Sequence, residues 1–304
     1  MSLSLAADKR SFHIQTLETA DGYPLVAQRY LPSGPVRARL IVAGATGVQQ
    51  QFYRRFARFA RLRGYDTLTL DYRGVGLSAP AELRGFRMNY LDWGQQDLAA
   101  AVKAMHGDGC PLYLLGHSYG GHALGLLPNH ELIDACFTFG TGSGWHGWMP
   151  TLEGWRVRFL LNMVGPLLTR WYGYLPLKRL NMGENLPLDV YRQWKHWCRY
   201  PRYFFEDSSL PELAQRFAQV RLPILAANAV DDSWASPGSR DAFMPGYQNA
   251  PWQGRDIQPN SFGMAQIGHM GYFRATAQPL WVEALDWLSQ QPQRYPQSPQ
   301  GVAA

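Results

Sequence analysis

The feature that most constrains this chain is the run Leu114-Leu115-Gly116-His117-Ser118-Tyr119-Gly120-Gly121. It holds G-x-S-x-G, with the apolar strand-like segment Leu112–Leu115 before it and a helix-compatible segment, Ala123–Leu127, after it. A serine at the centre of so tight a strand-to-helix turn sits in strained backbone. Side chains at Gly116 or Gly120 would collide with neighbouring elements. The turn therefore requires a sheet whose carboxyl edge carries Ser118 with its Oγ thrust outward.

The rest of the chain supplies such a sheet. Phe12–Leu17 and Leu25–Tyr30 read as a strand hairpin around Asp21-Gly22. Arg39–Ala43, Asp66–Leu70 and Ile133–Phe139 read as further strands. Between them lie helical segments, one with Phe52, Phe56, Phe59 and Leu62 at three- and four-residue spacing, another over Leu91–Met105. Strand and helix alternating in this way argue a mostly parallel sheet with helices on both faces, entered through an antiparallel edge. The rhythm breaks at Gly140 and resumes with a helix near Glu212–Val220 and a strand at Pro223–Ala229. A strand near Ser261–Ile267 and a helix at Leu280–Gln290 complete it. Residues 1–140 and 211–291 thus form the expected α/β core. Residues 141–210, with six of the eleven tryptophans, read as a helical cap inserted after a sheet strand, and 292–304, rich in Pro, Gln and Ser, as a disordered tail.

Composition narrows the function classes. With 304 residues, 46% of them hydrophobic and 17% charged, the chain can bury a large core without disulfide or metal staples. Cys110, Cys136 and Cys198 have no metal-binding spacing, and no motif calls for a metal or cofactor. The N-terminus lacks a signal-peptide apolar region and no stretch of about 18 apolar residues occurs, so the expected compartment is the cytoplasm. The net charge is +6, and between Thr151 and Leu210 nine Lys/Arg face five acids, so +4 of it lies there. No Lys/Arg run or RNA-binding signature accompanies it, which argues against nucleic acid. A solvated face, or attraction to anionic substrates or lipid surfaces, fits better.

A serine hydroxyl needs a base and an orienting acid. Around such a turn they follow in the order Ser, acid, His. His122 lies too close along the chain to reach back to Oγ. His130 stands in a loop, and His146 and His196 fall in the insertion. His269, in Ile267-Gly268-His269-Met270-Gly271, lies before the final helix and can reach over the sheet edge. The acid should close a strand, and Leu225–Asp232 ends in two aspartates. Asp232 is preferred to Asp231 because Ser233-Trp234-Ala235-Ser236-Pro237 then resembles a D-x-x-[small apolar]-P loop, with one residue more before the proline.

These motifs, with Asp71-Tyr72-Arg73-Gly74-Val75-Gly76-Leu77-Ser78, resemble the α/β-hydrolase superfamily from about Leu25 to Gln290. More narrowly, the chain is similar to bacterial serine hydrolase-like proteins with a cap. The resemblance implies the α/β-hydrolase fold and a triad of Ser118, Asp232 and His269. It also implies an oxyanion hole after the third strand, where Ala43-Gly44-Ala45-Thr46-Gly47 replaces the common His-Gly. Backbone N–H groups do that work. The candidate pair is Ala45 and Tyr119, with Thr46 as an alternative source of the first N–H or of a hydroxyl. Asp71 and Arg73 read as loop-ordering residues. The cap should cover the pocket, with Trp145 and Trp148, nearest the strand end, contacting substrate.

The expected activity is a carboxylesterase- or lipase-like serine hydrolase acting on a small-molecule ester with an apolar acyl group. A serine at this position argues against dehalogenase or epoxide hydrolase chemistry, which uses aspartate. An acyltransferase or thioesterase with the same triad, or a non-catalytic binding protein, remains open.

Overall fold

The computed structural model describes residues 12–107 and 109–292. The 292–304 tail falls outside them beyond its first residue. The chain opens with β1 (His13–Glu18) and β2 (Pro24–Tyr30), then β3 (Ala38–Ala43), α1 (Arg54–Arg61) and β4 (Tyr65–Leu70). A π-helical turn at Trp93–Leu98 runs into α2 (Ala99–Met105), followed by β5 (Leu112–His117), α3 (Tyr119–Leu124) and β6 (Ala135–Phe139). The segment 141–210 carries α4 (Thr151–Phe159), a π-helical turn (Leu160–Val164), α5 (Gly165–Tyr172) and α6 (Leu188–Trp197). A two-stranded ribbon, β7 (Tyr174–Leu175) with β8 (Leu186–Pro187), lies between α5 and α6. The chain closes with α7 (Glu212–Gln219), β9 (Ile224–Ala229), α8 (Pro237–Phe243), β10 (Trp252–Ile257) and α9 (Gln278–Ser289).

The sheet has eight strands in the order β1-β2-β4-β3-β5-β6-β9-β10. β1 and β2 pair antiparallel, β2 runs antiparallel to β4, and the strands from β4 to β10 are parallel. This is an α/β-hydrolase fold entered through an antiparallel edge. The central strands are buried along almost their whole length because helices cover both faces. Alternate residues serve alternate faces. Ile41, Leu114, Cys136 and Ala226 meet the side holding α2, α3 and α7, whereas Val42, Leu115, Phe137 and Ala227 meet α1 and α9.

One expected strand is corrected. Residues 261–267 are not a strand; a short 3₁₀ turn covers Pro259–Phe262, and the edge strand is β10, earlier in the chain. Its residues Trp252-Gln253-Gly254-Arg255-Asp256-Ile257 are mostly exposed, so they carry none of the apolar periodicity that marks a buried strand.

Candidate active site

At the end of β5 the backbone of Ser118 adopts φ 52° and ψ −111°, the strained conformation that the glycine pattern foreshadows. Contacts explain the glycines. A Cβ on Gly120 would lie 2.1 Å from the Ala43 carbonyl oxygen, and one on Gly116 2.7 Å from the Gly120 carbonyl carbon. The turn is pinned by Ser118 N–H donating to Phe139 O (2.9 Å) and by the Thr141 hydroxyl donating to Ser118 O (3.0 Å).

Ser118 Oγ lies 3.1 Å from His269 Nε2, and His269 Nδ1 lies 2.9 and 3.1 Å from the two Asp232 oxygens. Three residues remote in sequence thus form one hydrogen-bonded line. Asp232 is fully supplied with donors: the N–H groups of Trp234 and Ala235 (2.9 Å each) and the Tyr272 hydroxyl (2.9 Å). Burial alone would raise its pKa. The charge and hydrogen bond of His269, with those donors, outweigh it and hold Asp232 below the usual carboxylate range. Asp231 points elsewhere, accepting from Ile267 N–H (2.9 Å) and Gly268 N–H (3.2 Å), and so ties down the loop that carries His269.

A second chain of hydrogen bonds, unread in the sequence, runs beneath the site. Ala45 N–H donates to the Tyr53 hydroxyl (2.8 Å), which lies 2.9 Å from His117 Nδ1, while His117 Nε2 lies 2.9 Å from the His269 carbonyl oxygen. A carbonyl only accepts, so Nε2 carries the proton and Nδ1 accepts from Tyr53. Burial keeps His117 neutral, its pKa lowered to about 3. The chain links the loop after β3 to the His269 loop. Only position registered in the sequence: His117 is the first of the two variable residues of the G-x-S-x-G motif, and Tyr53 lies on the turn leading into α1.

This arrangement corrects the expected oxyanion pair. The Ala45 N–H is already engaged by Tyr53. Among the described residues, no acceptor takes the N–H of Thr46 or Tyr119. Both residues border the cavity at Ser118, and the Thr46 hydroxyl is hydrogen-bonded to the Tyr90 hydroxyl. Asp71 accepts from Gln50 N–H (2.7 Å) and Leu77 N–H (2.9 Å), and Arg73 pairs with Asp97 (2.7 Å) and Asp21 (2.6 Å), so both order the loop after β4.

Ser118 and His269 open into a cavity of about 920 Å³, a size that suits an enclosed small molecule. Leu161, Val164, Leu168, Leu175 and Leu177 of the 141–210 segment form an apolar wall, and Lys178 and Glu184, paired at 2.7 Å, a polar one. Glu184 N–H donates to Gly47 O (2.8 Å), joining that segment to the loop after β3. Trp145 and Trp148 are not among the lining residues. Trp145 packs edge-on against Trp148, whose indole N–H donates to Pro201 O (3.0 Å). The tryptophans that line the cavity are Trp194 and Trp234, ring-stacked at 5.7 Å. Nearness to the strand end along the chain is a poor guide here, because the segment meets the cavity through the inner side of its α4–α5 helix and the residues that follow, not through its first two tryptophans. Among the described residues no cluster of His, Cys, Asp and Glu could hold a metal, and no helix is long and apolar enough to cross a membrane.

Solved structures share the fold at low identity. DcsB, in complex with its substrate analogue, superposes with a TM-score of 0.63 at 13% identity, over 93% of this chain and 100% of that one. A soluble variant of Saccharomyces cerevisiae monoglyceride lipase gives 0.61 at 14% identity, over 94% and 98%. The esterase domain of a Rhodothermus marinus protein gives 0.55 at 20%, over 92% and 99%. No curated protein sequence matches the chain significantly. The sequence model of the alpha/beta hydrolase family matches residues 40–278, most of the chain and its parallel sheet from within β3 onward, and the chain belongs to that family.

Proposed function

We propose that the chain is a serine hydrolase that cleaves an ester through an acyl-enzyme on Ser118. The observation that carries the reading is the unbroken line Ser118 Oγ–His269–Asp232, with contacts of 3.1 and 2.9 Å at the mouth of a largely apolar cavity. His269 Nε2 takes the Ser118 proton as Oγ bonds to the ester carbonyl carbon. Asp232 holds the ring with Nδ1–H toward itself and stabilises the imidazolium. The N–H groups of Thr46 and Tyr119, free of other acceptors, stabilise the oxyanion. The carbon–oxygen bond to the alcohol then breaks, and the alcohol leaves with the proton from Nε2. Water, deprotonated by His269, attacks the acyl-enzyme, and Ser118 regains its proton as the acid departs. The apolar wall of Leu161, Val164 and Leu168 suits the acyl chain, and esterases and lipases stand among the structural neighbours.

The test is a panel of p-nitrophenyl esters and thioesters of graded acyl length, followed before steady state. The reading predicts turnover with a burst of about one p-nitrophenol per chain, because an acyl-enzyme accumulates. No turnover on any member, in folded protein, would overturn it. Adding a competing alcohol separates hydrolysis from acyl transfer through the product ratio.

A further inference from the structure

The helix that walls the cavity is apolar on two opposite sides, and only one is covered. From Thr151 to Tyr172 the backbone is helical without a break, through α4, the π-helical turn and α5. Its inner side packs on the protein through Gly154, Val157, Leu161, Gly165 and Thr169. Its outer side presents Leu152, Trp155, Phe159, Met163, Leu167 and Trp171, from 59% exposed at Phe159 and Met163 to 83% at Leu152.

Geometry makes these residues one stripe. From Trp155 onward they recur every four positions. In a plain α-helix each such step drifts about 40° around the axis, so four steps would carry the line almost to the opposite side. The π-helical turn at Leu160–Val164, with its wider winding, takes up much of that drift and keeps Trp155 and Trp171 near the same side. A helix apolar all round is normally enclosed on all sides. Single exposed apolar residues need no explanation, whereas a contiguous row of large ones marks an interaction surface.

Charge indicates what covers it. Arg158 and Arg170 each precede a stripe residue, about 100° away around the axis, and both are exposed along one flank. The Arg158 guanidinium stacks 5.1 Å over the Trp155 ring, and Arg179 lies 5.1 Å over Tyr172 at the far end. An apolar stripe with a tryptophan near each end and arginines beside it matches a helix lying flat at a membrane interface: rings at headgroup depth, guanidinium groups on lipid phosphates. Spanning is ruled out by the packed inner side and by Glu153, Arg156, Arg158 and Arg170 in the same helix.

We propose that the outer side of this helix docks the protein on an anionic phospholipid surface. Docking places lipid against the helix whose inner residues Leu160, Val164 and Leu168 line the cavity. The inference rests on exposed residues outside the cavity and does not depend on the reaction proposed above.

The experiment uses the full chain and vesicles of phosphatidylcholine alone or with 30% phosphatidylglycerol (roughly 30%, enough to give a strongly anionic surface). Co-sedimentation is expected with the anionic vesicles, weaker on the neutral ones and reduced at high salt, where charges are screened. The double variant Trp155→Ser/Trp171→Ser should lose binding at least tenfold, yet keep wild-type turnover of a water-soluble acetate ester. Wild-type protein that stays in the supernatant with every vesicle, or a double variant that binds as well as wild type, would overturn the proposal. So would a wild-type dimer by light scattering that the double variant converts to monomer without any vesicle binding, because the face would then be covered by a second copy. Vesicle binding with no ester turnover would leave the docking surface standing and remove the hydrolase reading.

Discussion

The turn at Ser118 and the insertion 141–210 lie against the same cavity but are built on opposite principles. Around Ser118 little is free to change. Two glycines are fixed by backbone atoms under 3 Å from any added Cβ, Asp232 accepts from His269 and three further donors, and Tyr53 and His117 join the two flanking loops. In the insertion one helix leaves a row of large apolar side chains in solvent, with arginines beside it. The first region is specified by what lies inside the protein and the second by what lies outside it. Substitutions should therefore be costly to the chemistry in one region and to partner or chain-length preference in the other.

The largest contrast is expected at the two adjacent aspartates. Asp232→Asn leaves His269 without its carboxylate and should lower kcat by about 10⁴. Asp231→Asn weakens one backbone contact to the His269 loop, a hydrogen bond worth about 1 kcal/mol, and should cost about tenfold or less. Steady-state kinetics on one activated ester decides it, and the reverse ranking would move the acid role to Asp231. Next is stability. Gly120→Ala forces a Cβ to within 2.1 Å of a carbonyl oxygen and should cost about 3 kcal/mol or prevent folding. Leu152→Ala on the exposed stripe should stay within about 0.5 kcal/mol in urea unfolding. Equal losses would erase the distinction between the regions.

A subtler effect concerns the acyl chain. Leu168→Ala removes part of the cavity wall and should raise KM about tenfold for long-chain esters, with little change for acetate, given about 0.8 kcal/mol per methylene contact. Trp145→Ala, off the cavity, should show no dependence on chain length. A uniform loss in Leu168→Ala would mean that this wall does not hold the acyl group.

The buried side of the comparison also carries a pH dependence of stability. His117 is neutral when folded, with its pKa lowered to about 3, and His122 is lowered to about 4, both by burial. An unfolded histidine takes up its proton near pH 6.5. Between those values the unfolded chain binds more protons, so the stabilisation is complete above about pH 6.5 and declines as pH falls, by on the order of 1 kcal/mol per pH unit for each histidine. Urea midpoints at pH 7, 6 and 5 should fall accordingly, and His117→Asn should flatten the slope. An unchanged slope would place the titration elsewhere.

Legibility in the sequence followed the same division. Strands β3, β5, β6 and β9 are buried on both faces and announce themselves as mostly apolar runs, and the Ser118 turn declares itself through glycines that sterics require. Asp232, not Asp231, faces His269, and the preference for it in the sequence rests on a likeness of the loop that follows. Strand β10 was not legible, since an exposed edge needs no periodicity. Helix α8 carried a signal that went unread: Ser236, whose hydroxyl accepts from Ser239 N–H at 3.3 Å, followed by Pro237 in the first turn. The loss of the Ala45 amide to Tyr53 depends on a contact across eight positions and on the buried His117. The exposed stripe was visible only as composition until the helix was seen to have its other side already covered.

The central claim is that Ser118, activated by His269, is the nucleophile. A fluorophosphonate probe, with the modified peptide located by mass spectrometry, tests it most directly. The probe should add once per chain, on Ser118 Oγ, and labelling should vanish in Ser118→Ala, which should remain folded by circular dichroism because the side chain contributes little packing. Wild-type protein that fails to label, or Ser118→Ala that labels as wild type does, would contradict the account.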